Sequence, residues 1–157
     1  MGVRYIAVAV NEQDYERVKT GPCPSCGSMP EARERENYGP SSPETLDLDK
    51  SWSCLQHFFQ ASGFRHAFRL VEGDVVHTSD GWIPHQGAIA PSAMKDIVAD
   101  LDAAKRVALR EHFRRDGAWR DDRAEQDFIY TGHFLERARE WVHEVEQCGF
   151  GIVYYIG

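Results

Sequence analysis

The stretch that decides the fold is residues 3–10, VRYIAVAV, near the start of the chain. It is short and rich in β-branched and aromatic residues, which predicts a strand. Its apolar residues fall on both faces, as in a central strand or a sheet covered on both sides. Residues 150–156, FGIVYYI, have the same character. We expect these two strands to share one sheet, which would hold both ends of the chain.

The region between the two strands is expected to be mainly helical. Asn11 is predicted to cap a helix ending near Lys19, and Asp47 or Asp49 to cap a second one. Apolar side chains at helical spacing indicate helices over about 50–61, 91–101, 104–113 and 131–147. Residues 67–76 and 87–90 are the remaining strand candidates, and 114–126 is predicted to be an exposed connection. The pattern predicts an α+β fold with a small mixed sheet, including the N-terminal and C-terminal strands, packed with about four to five helices.

Length and charge narrow the class of protein. With 157 residues, 42% of them apolar, the chain suits a single domain, 1–157, able to bury its own core. A net charge of −7 disfavours broad attraction to nucleic acid phosphates or to an anionic membrane surface. There is no run of about 18 apolar residues and no signal-peptide pattern. We therefore expect a cytoplasmic protein with no nucleic acid partner and no membrane partner.

A long polar loop at about 20–46 contains the sharpest local signal for chemistry. Cys23 and Cys26 have the Cys-x-x-Cys spacing that lets two thiolates bind one metal ion. Cys54 and His57, three residues apart on a predicted helix, would complete a Cys₃His set. This pattern predicts a structural zinc site that ties the loop to the helix.

Other interpretations of these four residues stay open. Cys54 can also be a small apolar residue that is buried in the core, and His57 can be a residue of the exposed surface. The loop pair can equally form a disulfide or remain as two thiols. A thioredoxin-type redox role is a weaker hypothesis, because Cys23 follows a helix and not a strand.

Two further features carry hypotheses about function. His66, His77 and His85 lie in the least regular part of the chain near acidic residues, where a carboxylate could orient a general base. Trp119 stands among charged residues in a predicted loop, which suits a partner-binding anchor. The alternative for Trp119 is that it folds back over the core.

Three stretches together resemble a known family. They are residues 46–52, LDLDKSW; the helix after Pro91 with the following LREHF at 109–113; and the closing helix and strand from Phe134 to Ile156. These stretches resemble the YfbM-like family of small bacterial proteins of unknown function. The resemblance implies an α+β fold and a bacterial origin, and it brings no catalytic residues. The family pattern places a histidine four residues after the tryptophan, where this chain has Gln56.

Two classes of function follow. The first, which we favour because no complete catalytic set is present, is a non-enzymatic interaction or binding module. It would present charged segments, residues 31–36 and 114–127, to a protein partner. The alternative is a small-molecule enzyme or ligand binder that uses histidines of the 57–85 region. Convergence of these histidines on a pocket would favour the enzyme, and their dispersal would count against it.

Overall fold

The computed structural model of the chain describes residues 3–20, 45–115 and 122–157. Within these ranges the strands are β1 (Tyr5–Val10), β2 (Leu46–Asp49), β3 (Val76–Thr78), β4 (Gly81–Ile83), β5 (His85–Ile89) and β6 (Gly151–Ile156). The α-helices are α1 (Glu12–Thr20), α2 (Trp52–Ser62), α3 (Arg65–Phe68), α4 (Met94–Ala103), α5 (Arg106–Arg115) and α6 (Asp122–Gln147). Short 3₁₀ turns lie at Arg69–Val71 and Pro91–Ala93.

The predicted α+β fold, with both terminal strands in one sheet, is confirmed. Strands lie in the order β2-β1-β6-β5, and β1 and β6 pair in register from Tyr5↔Ile156 to Val10↔Gly151. All three pairings are antiparallel, whereas a mixed sheet was expected. The reason is the long α6, whose 26 residues span about 39 Å and run back beside α4 and α5. The chain thus returns to the sheet where β5 ended, and Ile152 pairs with Ile89.

Both faces of the sheet are covered, as the apolar character of the two central strands predicted. Tyr5 and Ala7 of β1 face the main core, together with Ile152 and Tyr154 of β6. The alternate residues of these strands, including Val8, form a smaller cluster with the apolar side of α1. This alternation is the consequence of side chains pointing to opposite faces along a strand.

The predicted N-terminal cap is confirmed for α1 and is wrong for α2. Asn11 Oδ1 accepts a hydrogen bond from the Asp14 backbone N–H at 2.8 Å, which confirms the predicted cap of α1. The predicted cap of α2 at Asp47 or Asp49 was wrong, because residues 46–49 form β2 with alternating buried and half-buried side chains. Ser51 precedes α2 instead, and Gly63 ends the helix in the left-handed conformation.

Two other sequence predictions need correction. Residues 67–76 were expected to be strand, but they begin with α3 and a 3₁₀ turn. Asp100 of α4 explains this difference, since its Oδ2 accepts hydrogen bonds from the backbone N–H groups of His66 and Ala67 at 2.7 and 3.0 Å. The predicted exposed connection at 114–126 is helical at both of its described ends, because α5 ends at Arg115 and α6 begins at Asp122. Among the described residues, no helix is both long enough and apolar enough to cross a membrane.

Candidate protein-binding surface

Two of the four predicted zinc ligands lie within the described residues, and two lie outside them. Cys23 and Cys26 lie outside the described ranges. Cys54 of α2 is half-buried and His57, one turn further, is exposed. Burial raises the pKa of the Cys54 thiol, and the nearby Thr131 side chain of α6 lowers it in part. Within the described ranges, no group of three or more metal-binding side chains occurs.

The histidines of the 57–85 region lie on separate elements with different neighbours. The side chain of His66 is exposed on α3, and its backbone N–H donates a hydrogen bond to Asp100 Oδ2. His77 packs edge-on against Trp82 at a ring separation of 5.9 Å. His85 lies 6.0 Å from the Tyr154 ring. A histidine–carboxylate contact does occur elsewhere, where His143 Nε2 lies 2.8 Å from Asp102 Oδ1 in an exposed link between α6 and α4.

The LDLDKSW stretch forms the corner between β2 and α2. Asp49 has a positive φ of 45°, and its backbone N–H donates to Asp47 Oδ1 at 2.6 Å. The Ser51 hydroxyl donates to the Leu48 carbonyl at 2.7 Å, and the Tyr130 hydroxyl donates to Asp49 Oδ2 at 2.6 Å. Aspartate tolerates the left-handed conformation better than most residues. This most specific part of the family pattern therefore serves the architecture at this corner.

Gln56 has a structural role at the position where the YfbM-like resemblance predicts a histidine. Its side-chain Nε2 donates to the carbonyls of Val71 and Gly73 at 2.6 and 2.9 Å. These two bonds tie α2 to the segment after the 3₁₀ turn. Both bonds are accepted by backbone carbonyls, so they satisfy main-chain groups of that segment.

An open groove of about 590 Å³ separates α5 from α6. Two large apolar side chains border it, Val107 of α5 at 74% exposure and Ile129 of α6 at 52%. The buried ring of Phe128 forms its floor. Exposed apolar side chains that line one groove together are a feature of protein interaction sites, whereas single ones are common on any surface.

Two arginines of α5 stack on the floor of this groove. Arg106 Cζ lies 5.8 Å and Arg110 Cζ 4.8 Å from the Phe128 ring centroid, within the range of cation–π attraction. Arg106 also lies across Gly132, since a Cβ there would be 3.1 Å from its Nε and Nη2. Arg110 approaches Glu125 at 4.0 Å, the outer limit of an ion pair. The groove is thus apolar in the centre and cationic along one side.

Charge is unevenly distributed along the chain. Residues 105–115 carry five basic side chains and one acidic side chain, a net charge of +4. Because the whole chain has a net charge of −7, the rest of the chain has a net charge of −11. We missed this signal when we considered net charge alone. A charge count by segment would have found the basic helix. It would not have found Phe128 or Ile129, which lie 18 or more residues further along the chain than Arg110.

Trp119, the predicted partner anchor, lies outside the described residues. Its place in the sequence is nevertheless informative, because residues 116–121 connect α5 directly to α6. The segment that carries it therefore joins the two helices that form the groove.

A second groove, of about 580 Å³, lies on the other side of α5. Phe64 and the end of α2 form one wall, and Glu111, His112 and Arg115 of α5 form the other. The His112 ring packs against Phe58 at 5.7 Å, which is a contact with the core. Four polar side chains line this groove, Ser62, Glu111, His112 and Arg115, and none of the large exposed apolar side chains of the described residues borders it.

The β3–β4 hairpin is the second exposed apolar feature. Val76 and Ile83 are directly opposite each other and are 59% and 57% exposed. Trp82 is exposed on the next pair, opposite His77. Every residue of both strands is exposed, so the hairpin projects from the body of the protein.

Comparisons with known proteins place the chain in a family without assigning a function. Neither a search among curated proteins nor one among solved structures gave a match. A family model described as "Domain of unknown function (DUF1877)" matches residues 1–155. The match spans almost the whole chain, from before β1 to within β6. The protein therefore belongs to this family of unknown function.

Proposed function

We propose that this protein is a non-enzymatic interaction module that binds a protein partner through the groove between α5 and α6. The observation that supports this is the exposure of Val107 and Ile129 in the groove that Phe128 also lines. Burial of apolar surface is the main driving force of protein association. An anchor of the partner that filled the groove would remove both side chains from water.

The groove has the arrangement of known binding surfaces. Interface centres combine aromatic and aliphatic residues with arginine, while charged groups lie at the rim. Here the Phe128 ring forms the floor, Val107 and Ile129 border the groove, and Arg106 and Arg110 lie over the Phe128 ring. The proposed partner-binding role of Trp119 fits the same surface, because its segment connects the two walls.

Serine substitution of the two exposed aliphatic residues tests this proposal. We expect Val107→Ser/Ile129→Ser to weaken partner binding at least about tenfold, since each lost apolar contact at an interface centre costs about 1 kcal/mol or more. The expected change in folding stability is small because both side chains already contact water. Affinity capture from cells of the native host, with quantification of each captured protein, measures the effect.

The hairpin provides a matched control. Val76→Ser/Ile83→Ser removes a pair of similar size and exposure from the other apolar feature. A partner that the hairpin variant retains and the groove variant loses supports the proposal. A partner lost only in the hairpin variant would place the binding surface at β3–β4 and contradict it.

A structural zinc site at Cys23, Cys26, Cys54 and His57 remains part of the proposed function. Cys54 is half-buried and packs against the main core, and His57 is exposed one turn further along the same helix. Zinc would bind Cys54 as a thiolate, and burial raises the pKa of that thiol, so metal binding should weaken steeply as the pH falls.

Elemental analysis of tag-free protein tests the metal site. We expect about one zinc per chain, lost in Cys23→Ser/Cys26→Ser and in Cys54→Ser. Cys148→Ser changes an exposed cysteine at the end of α6 and should retain the metal. Zinc-free protein after purification under reducing conditions without chelators would end this hypothesis.

The proposal also includes the domain organisation, the closer family, the origin and the cellular location of the protein. We propose a single-domain, YfbM-like, bacterial protein of the cytoplasm, on the resemblance of the three stretches described above. The alternative function, a small-molecule enzyme or ligand binder using histidines of the 57–85 region, gains no support from the separate neighbours of His66, His77 and His85.

A further inference from the structure

We infer that the partner segment bound by the α5–α6 groove is an acidic amphipathic helix. This inference rests on the proposed function and names the chemistry of the partner. Its basis is the combination, in one groove, of two exposed aliphatic side chains with two stacked guanidinium groups. An amphipathic helix with one apolar face and flanking carboxylates complements both features.

The shape of the groove favours a helix. Two helices joined by only six residues, 116–121, form its walls, and α5 is about 15 Å long. A helix laid in a groove between helices places apolar side chains at i, i+3 and i+4 against its floor. About three turns of such a helix would span α5.

The charge favours carboxylates on that helix. The segment 105–115 carries +4 in a chain that is otherwise strongly acidic, and the groove itself is lined by Arg106, Arg110 and Glu125, so an acidic segment is attracted to its α5 side. Guanidinium groups bind carboxylates in a bidentate manner through fixed, planar donors. Arg106 and Arg110 are one helical turn apart on α5, which matches two carboxylates one turn apart on a partner.

The arginines are held in place before binding. Phe128 supports both guanidinium groups, and Gly132 leaves the space that Arg106 occupies. A side chain that is already ordered loses little conformational entropy when it binds. Glu125 approaches Arg110 only at 4.0 Å, so a partner carboxylate with better geometry can displace this weak contact.

The test uses the full chain and three synthetic peptides of about 15 residues, labelled for fluorescence anisotropy. One peptide carries leucines at i, i+3 and i+4 with flanking glutamates; the second replaces the glutamates with lysines, and the third replaces the leucines with alanines. We expect the acidic peptide to bind about tenfold or more tightly than either control, because two charge pairs and the apolar contacts are both needed. Its affinity should fall as salt concentration rises.

Variants of α5 separate local recognition from general attraction. Arg106→Glu/Arg110→Glu should abolish the preference for the acidic peptide, and Arg106→Gln/Arg110→Gln should reduce it without placing a new carboxylate beside Glu125. The matched control, Arg114→Glu/Arg115→Glu, changes the charge of the same helix equally but outside the groove. Equal losses in both charge-reversal variants would overturn the inference.

Two further outcomes would also overturn it. The first is binding of a 15-nucleotide single-stranded DNA as tight as that of the acidic peptide and dependent on Arg106, which would indicate a phosphate site. The second is an equal affinity for all three peptides. The proposed function is tested separately, because loss of the cellular partner in Val107→Ser/Ile129→Ser together with its retention in Arg106→Gln/Arg110→Gln would leave the function standing and reject only the acidic helix.

Discussion

Replacement of Gly87 by alanine should cost about 2–4 kcal/mol of folding stability. A Cβ at this position of β5 would overlap the ring of Tyr154 on the neighbouring strand. That ring has no room to move, since it stacks on Tyr5 at 5.5 Å and its hydroxyl donates to the Glu72 carbonyl at 2.8 Å. Overpacking of this kind costs about 1–3 kcal/mol, and a lost hydrogen bond adds about 1 kcal/mol.

The loss should appear as a lower urea midpoint and a Tm reduced by roughly 10 °C. Gly132→Ala is the matched control, because its Cβ would lie 3.1 Å from the Arg106 guanidinium, which needs to shift only slightly, and alanine favours the interior of α6 by about 1 kcal/mol. We expect that variant to be as stable as the original chain or slightly more stable. Tyr154→Ala should cost stability by itself but should make Gly87→Ala nearly neutral in its background. Independent, additive costs in the double variant would contradict the steric explanation.

The second large effect is a loss of stability at alkaline pH. Burial raises the pKa of Tyr5 well above its usual value, and burial also raises the pKa of Tyr154. Below about pH 10 both phenols keep their protons whether the chain is folded or unfolded. Above that pH the unfolded chain releases them and the folded chain does not. Stability should therefore fall by about 1.4 kcal/mol per pH unit for each tyrosine, or about 2.7 for the pair.

Urea unfolding between pH 9 and pH 11.5 measures this slope. Tyr5→Phe/Tyr154→Phe should reduce the slope above pH 10 by the contribution of both groups. At pH 7 the single variants should differ in sign. The Tyr5 hydroxyl is buried without a partner among the described residues, so Tyr5→Phe should be neutral or stabilising. Tyr154→Phe removes a hydrogen bond and should destabilise. Identical slopes in the double variant and the original chain would refute this explanation.

Local sequence signals predicted most of the architecture. The strands at 3–10 and 150–156 were predicted from composition, and the Asn11 cap from the ability of its side chain to accept a backbone N–H. Gly63 ends α2 in the left-handed conformation that glycine adopts without steric cost. In each case the deciding interaction joins residues close together in the chain.

The secondary-structure predictions were wrong where contacts between residues far apart in the chain determine the local structure. The alternation in LDLD is a strand pattern, but its aspartates also resemble helix caps, and only the pairing of β2 with β1 distinguishes the two. Residues 65–71 are helical because Asp100, more than thirty residues away, accepts two of their backbone N–H groups. The zinc and Trp119 hypotheses stay predictions, since Cys23, Cys26 and Trp119 lie outside the described residues.

The sequence by itself determined the α+β class, the sheet shared by both ends of the chain, and most helix positions, because periodicity and capping act over a few residues. Only the tertiary structure decided which exposed residues come together. Arg106 and Arg110 are 18 or more residues from Phe128 in the chain, yet their guanidinium groups lie over its ring because α6 packs against α5. The spacing within either helix does not encode that contact, since a groove depends on the distance and rotation between two helices.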